Sequence, residues 1–185
     1  MTEYPAMTII SGCPGTGKTS LVRALAQSWE EDGAQTLCVN ADVFHTFPAS
    51  PLSPELPEAR EQNIAIAAAV AASAISFAES GYKVIIDGVV GPWMLPEFLK
   101  VFKGRLLGLS YVVLRAPLEE TLVRASQRPD GSKFSPEGVK VMHQKFADLK
   151  MFEPHAFETD GKSLEETHKA IAPKIAERQF QFEIG

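Results

Sequence analysis

Short apolar runs alternate with longer stretches of helical spacing along the whole chain. Met7-Thr8-Ile9-Ile10-Ser11 has the length and continuity of a buried parallel strand. After a glycine turn, Leu21, Val22, Leu25, Ala26 and Trp29 fall on one stripe, which predicts a helix from Lys18 to about Glu31 stopped by Gly33. Thr36 to Asn40 reads as a second strand. It runs through Ala41-Asp42-Val43-Phe44-His45 into a proline-rich passage, Phe47 to Pro57, that excludes regular structure and offers a lid or a pocket wall. A helix from about Glu58 to Ser80 opens on two acids, Glu58 and Glu61, favourable at its positive end, and stops at Gly81.

The alternation continues to the far end. Lys83 to Gly88 is a buried strand closing on an acid, and Pro92 to Lys103 a helix with Met94, Leu95, Phe98, Leu99 and Phe102 apolar. Gly108 to Leu114 is the fourth strand, and Pro117 opens a helix that reaches about Gln127. Arg128 to Lys133 is a turn cluster, and Ser135-Pro136-Glu137 starts a helix running to about Lys150. Ala156 to Thr159 is a short fifth strand. Ser163 and Glu166 form a capping box for a last helix ending near Ala176. Strands alternating with helices, with neither repeat nor linker, predict a single α/β domain over 1–185. The layering and handedness rules make it a doubly wound parallel sheet with its ligand site at the carboxyl ends of the strands.

Composition narrows the class without naming the ligand. The chain of 185 residues is 45% hydrophobic and 22% charged, with a net charge of −5, so no basic field attracts a polyanion and nucleic acid is disfavoured as a bulk ligand. Two cysteines, Cys13 and Cys38, make no disulfide framework, which places the chain in the cytoplasm. The alanine-dominated stretch from Asn63 to Ala78 falls short of the ~20 apolar residues a bilayer requires, and reads as core, not as a membrane span. The number of copies that associate is not legible.

The chemistry concentrates in Gly12-Cys13-Pro14-Gly15-Thr16-Gly17-Lys18-Thr19, which fits G-x-x-x-x-G-K-[ST] between a strand and a helix. Glycines at 12, 15 and 17 let backbone N–H groups close on phosphate, while the helix N-terminus opening through Ser20 adds its dipole. Lys18 then reaches the β/γ-phosphates and Thr19 ligates Mg²⁺, so the motif predicts a site for a nucleoside triphosphate.

The topology gives two acids a role at the same rim. Asp87 ends its strand as a second ligand to the Mg²⁺ shell, and Asp42, just past the second strand, is placed to orient an attacking hydroxyl and take its proton. Asp42 also reads as an Asx-turn residue beside Asn40. Arg124 and Arg128 lie four apart on one helical face, with Lys133 beyond the turn, as in a mobile arginine lid that delivers charge to the transferring phosphoryl group. Glu119 and Glu120 are spaced to pair with Arg124, and Arg115 is a weaker candidate for the same surface. Phe44, His45, Arg60 and Trp93 complete a candidate acceptor pocket.

The phosphate loop, Asp42, Ile86-Asp87-Gly88, and Val112 to Pro117 leading to Arg124 and Arg128 together resemble the small P-loop kinases. That group includes gluconate kinase, shikimate kinase, chloramphenicol phosphotransferase, the zeta toxins and polynucleotide kinase. The resemblance covers nearly the whole chain. It implies a three-layer P-loop NTPase fold with a five-stranded parallel sheet in the order 2-3-1-4-5 and a short arginine lid. ATP·Mg²⁺ would be the donor and a small hydroxyl compound, such as a sugar acid or an antibiotic, the acceptor. It further implies that Thr159 to Lys162 wraps the adenine. Nucleoside monophosphate kinases follow their Asp-Gly with Pro-Arg, whereas Asp87-Gly88 runs into Val89-Val90-Gly91-Pro92, which weakens the case for a phosphate-bearing acceptor. A polynucleotide-end kinase and an ATP-driven switch are the alternatives.

Overall fold

The computed structural model describes residues 6–54, 56–105, 108–127 and 135–182. Strands β1 (Ala6–Gly12), β2 (Thr36–Asn40), β3 (Lys83–Asp87), β4 (Gly108–Arg115) and β5 (Ala156–Glu158) form one sheet in the order β2-β3-β1-β4-β5. Every neighbouring pair is parallel. The helices are α1 (Lys18–Glu31), α2 (Arg60–Glu79), α3 (Leu95–Phe102), α4 (Leu118–Ser126), α5 (Pro136–Phe146) and α6 (Leu164–Ala176), with 3-10 turns at Ala41–Thr46, Pro57–Ala59 and Lys150–His155.

The period of two along each strand divides the core into two layers. Ile9, Val84, Ile86, Tyr111 and Val113 are buried on the face covered by α2, α3 and α5, while Ile10, Ile85, Val112 and Leu114 face α1 and α6. Both faces being covered explains why these strands read as continuous apolar runs. On the α1/α6 side the predicted stripe is buried at Leu21, Val22, Leu25 and Trp29. Phe98 and Phe102 of α3 are fully buried in the other layer, where truncating either to alanine costs about 3–5 kcal/mol.

α2 and the turn before it, Pro57–Glu79, are long and apolar enough to span a bilayer by length and composition. In the fold, Ile66, Ala67, Val70, Ala71, Ala74, Ile75 and Ala78 are buried against the sheet and α3. The alanines bring helix and sheet backbones close together. The proline-rich passage is tied to the start of α2. The Gln62 side chain both accepts from Leu52 N (3.0 Å) and donates to Leu52 O (2.9 Å), and Asn63 Nδ2 donates to Pro54 O at 2.8 Å.

Element ends depart from the sequence pattern where side chains capture the backbone. α3 starts at Leu95, not Pro92, because Met94 N donates to Gly91 O at 2.9 Å in a preceding turn. α5 stops at Phe146, short of Lys150. Glu153 Oε1 accepts from Leu149 N at 2.6 Å, Asp148 accepts from Lys150 N at 3.0 Å, and Lys150 turns left-handed with φ 57°. After α6 the chain returns antiparallel along β4, with Tyr111 N donating to Phe180 O (2.9 Å) and Phe182 N to Leu109 O (2.8 Å). This segment covers the edge of β4 that three-residue β5 leaves open, and no periodic signal announces it.

Candidate functional site

At the carboxyl end of β1 the backbone turns sharply. Gly12, Gly15 and Gly17 adopt φ of 140°, 88° and 93°. A Cβ on Gly12 would lie 2.3 Å from Leu114 O, and one on Gly15 2.3 Å from Thr121 O, so β4 and α4 leave room for glycine alone. Gly17 caps α1 without a side-chain hydrogen bond, which leaves the first-turn N–H groups of that helix open to an anion. Pro14 is buried in the turn and Ser20 is exposed in the first turn of α1.

Three donors converge on one carbonyl. Thr16 N (3.3 Å), Thr16 Oγ1 (2.9 Å) and Lys18 Nζ (3.0 Å) all donate to Cys13 O, so the loop satisfies its own buried ammonium group. The Cys13 thiol donates to Val139 O at 3.4 Å, and burial pushes its pKa up to about 11 against the lowering effect of Lys18, which makes it an inert filler. Thr19 Oγ1 donates to Asp87 Oδ2 at 2.7 Å, joining the start of α1 to the end of β3. Hydroxyl and carboxylate are hard oxygen donors of the kind Mg²⁺ takes. Among the described residues no cluster of three or more His, Cys, Asp or Glu side chains is present.

Asp42 lies beside this pair. Asn40, not Asp42, caps the 3-10 turn by accepting from Asp42 N (3.0 Å) and Val43 N (3.3 Å), which leaves the Asp42 carboxylate to accept from Val89 N at 2.9 Å. The approach is close: a Cβ on Gly88 would stand 2.8 Å from Ala41 Cβ and 3.0 Å from Asp42 Oδ1. Asp87 and, two residues beyond its register partner Asn40, Asp42 thus both lie at the carboxyl ends of neighbouring strands.

The four weaker acceptor-side residues do not form one cluster. Phe44 packs on the core and faces Phe47 with ring centroids 5.0 Å apart. His45 is half-buried with Nδ1 unpartnered, and burial lowers its pKa against the raising effect of Asp42. Arg60 stands in solvent at the start of α2, paired with its neighbour Glu61 at 2.8 Å. Trp93 lies flat over Gly91 and 5.4 Å from the Phe146 ring, with Lys145 Nζ 5.4 Å from the indole centroid, so it ties the β3 exit to α5. That exit is further fixed where Ser11 Oγ (2.7 Å) and Tyr111 OH (2.8 Å) both donate to Val90 O.

Arg124 pairs with Glu120 at 2.5 Å, as the spacing predicts, and lines a cavity of about 510 Å³ together with Glu119, Val123 and the segment Gly161–Ser163. A second cavity of about 340 Å³ reaches from Cys13 and Thr16 past Ala116 to His143, Phe146 and Asp160. Arg128 and the rest of the turn cluster, 128–133, lie outside the described residues. Arg115 has another use than the one its position suggested. Its Nε donates to Phe146 O at 2.8 Å, its Nη2 pairs with Glu153 at 2.7 Å, and Nη1 reaches Glu158 at 3.5 Å. Only the fold brings those acceptors together, from positions 31 to 43 residues away.

A glycine-rich loop on β1, an acid ending β3 and the strand order β2-β3-β1-β4-β5 define a P-loop NTPase fold. The chain belongs to the AAA domain family, whose pattern matches residues 9–140. Among solved structures it is similar to the APS kinase CysC of Mycobacterium tuberculosis in complex with AMPPNP and APS. That likeness has a TM-score of 0.71 at 13% identity, over 94% of this chain and 98% of that one. A gluconokinase from Sinorhizobium meliloti 1021 gives a TM-score of 0.62 at 18% identity, covering 95% and 94%. A chain of the Pnkp1/Rnl/Hen1 RNA repair complex gives 0.60 at 24% identity, covering 81% of this chain, which spans only 48% of that one. At these identities the likeness is one of fold. No curated protein matches the sequence.

Proposed function

We propose that the protein transfers the γ-phosphoryl group of ATP to a hydroxyl of a small molecule, with a sugar acid or an antibiotic as the acceptor classes to examine first. One observation carries the reading. The Thr19–Asp87 hydrogen bond of 2.7 Å joins two groups suited to the donor side, and the reading takes Asp42, which accepts from Val89 N two residues beyond Asp87, as the carboxylate on the acceptor side. The gluconokinase and APS kinase folds support it.

Lys18 would leave Cys13 O for the β/γ-oxygens, exchanging a neutral carbonyl acceptor for an anionic one. The N–H groups of Gly15, Gly17, Lys18 and Thr19 would close on the phosphates at the open start of α1. Thr19 and Asp87 would hold Mg²⁺, whose charge offsets that on the phosphate oxygens. The acceptor hydroxyl attacks the γ-phosphorus, its proton passes to Asp42, and the bond to the β-phosphate oxygen breaks to release ADP. Arg124, beside the cavity against Gly161–Ser163, would meet the nucleobase, and Arg128 would bring charge to the moving phosphoryl group. The domain would act as one unit over 1–185.

The likeness to the RNA repair chain favours a second reading, transfer to the 5′ end of a polynucleotide. A net charge of −5 counts against it. ADP release measured against pools of sugar acids, antibiotics, nucleosides and 5′-hydroxyl oligonucleotides separates the two. Stimulation by a small-molecule pool is the expected result, and stimulation by oligonucleotides alone replaces the first reading with the second. Hydrolysis that no pool changes points to an ATP-driven switch.

A further inference from the structure

We propose that Arg115 is a positioning residue for the wall that holds the nucleobase, an inference resting on the nucleotide reading above. Arg115 ends β4, one residue beyond Leu114, whose carbonyl closes on Gly12 of the phosphate loop. Its side chain is 18% exposed and its donors are spent inside the protein, on Phe146 O, Glu153 and Glu158. Its own carbonyl accepts from both Thr159 N and Thr159 Oγ1, each at 2.8 Å. Glu153 also accepts from Leu149 N at 2.6 Å, so the turn Lys150–His155 is fixed to the same guanidinium.

One residue therefore joins the end of α5, the 3-10 turn, β5 and the first residue beyond β5. The first three connections run through the guanidinium, whereas the last is made by the backbone carbonyl, which any residue at 115 would supply. The segment leaving β5 through Thr159 becomes Gly161–Ser163, which forms one side of the 510 Å³ cavity, with Arg124 and α4 on the other. β5 has only three residues in register with β4, too short a ladder to hold the segment by itself. The guanidinium adds a further hold, because its planar fork spans Phe146 O, Glu153 and, one residue before Thr159, Glu158, a spread that a compact ammonium group does not match. With two carboxylates already beside it, Arg115 is not a phosphate ligand.

The side-chain bonds of the clamp go to α5, the 3-10 turn and β5, not to the phosphate loop. ADP feels both regions, whereas inorganic pyrophosphate feels only the loop. In the full chain, Arg115→Met is expected to weaken ADP binding about tenfold while pyrophosphate affinity stays within twofold, the scale on which a residue acting through its neighbours shifts binding. Arg115→Lys should recover part of the ADP affinity. Glu153→Gln, which removes one partner and spares the arginine, should cost about threefold and carries the same test if Arg115→Met does not fold. Equal losses for ADP and pyrophosphate, or unchanged ADP affinity in a folded variant, overturn the inference. Wild-type protein that binds neither ligand overturns the nucleotide reading, and this one with it.

Discussion

On the phosphate-loop side of the strand-end rim the groups proposed to grip the ligand are backbone amides, whereas on the proposed acceptor side they are side chains spread over a 3-10 turn and the β3 exit. The first arrangement is fixed by glycines with no freedom to change: a methyl group on Gly12 or Gly15 would meet a carbonyl oxygen at 2.3 Å. The second is held by replaceable contacts, Asp42 on Val89 N, Phe44 against Phe47, and Trp93 over Gly91. The comparison teaches that one rim can be rigid where backbone geometry allows only glycine and built from exchangeable side chains beside it.

The sharpest way to break the contrast is at Gly15. Gly15→Ala places a methyl group against Thr121 O at a backbone φ of 88°, and should abolish detectable ATP binding while lowering stability by about 2–4 kcal/mol in urea unfolding. Asp42→Asn keeps the shape and an oxygen for Val89 N while removing the proton acceptor. Acceptor-dependent turnover should fall about 10²–10⁴-fold, with ADP affinity within twofold of wild type in a titration. Unchanged turnover would move the base elsewhere.

Smaller effects sharpen the acceptor side. Trp93→Ala removes an indole that bridges Gly91 and Phe146, and should raise the acceptor KM severalfold with the KM for ATP unchanged, costing about 1 kcal/mol of stability. The smallest effect concerns pH. His155 sits among Tyr111, Phe152 and Phe182 with Nδ1 against Tyr111 O at 2.9 Å, and burial depresses its pKa below the ordinary 6.5. The His45 pKa is depressed likewise. Depressed histidines bind protons more weakly folded than unfolded, so their contribution is fully present above about pH 6.5 and is lost as pH falls through the folded values. The urea midpoint should decline from pH 7.5 to pH 5, and His155→Gln should flatten that decline.

The same contrast explains what the sequence revealed. All five strands, the strand-end acids and the phosphate loop were legible because buried parallel strands and anion-binding turns each demand a fixed residue pattern. The end of α5 was not, since Glu153 and Asp148 capture backbone donors only once the turn has formed. Arg115 looked like a surface cation because its acceptors, Phe146 O, Glu153 and Glu158, are distant in sequence. Arg60 carried the same ambiguity, and stands in solvent paired with Glu61. The tail pairing of Phe180 to Phe182 along β4 has no periodicity to betray it.

Calorimetric titration of the wild-type protein and of Lys18→Ala with Mg²⁺ and a non-hydrolysable ATP analogue tests the central claim most directly. Saturable one-to-one binding by wild type, weakened about 100-fold or more when the ammonium group on Cys13 O is removed, is the result expected of a charge-assisted phosphate cradle. Wild-type protein that takes up no triphosphate, or a Lys18→Ala variant that binds as tightly, would contradict it.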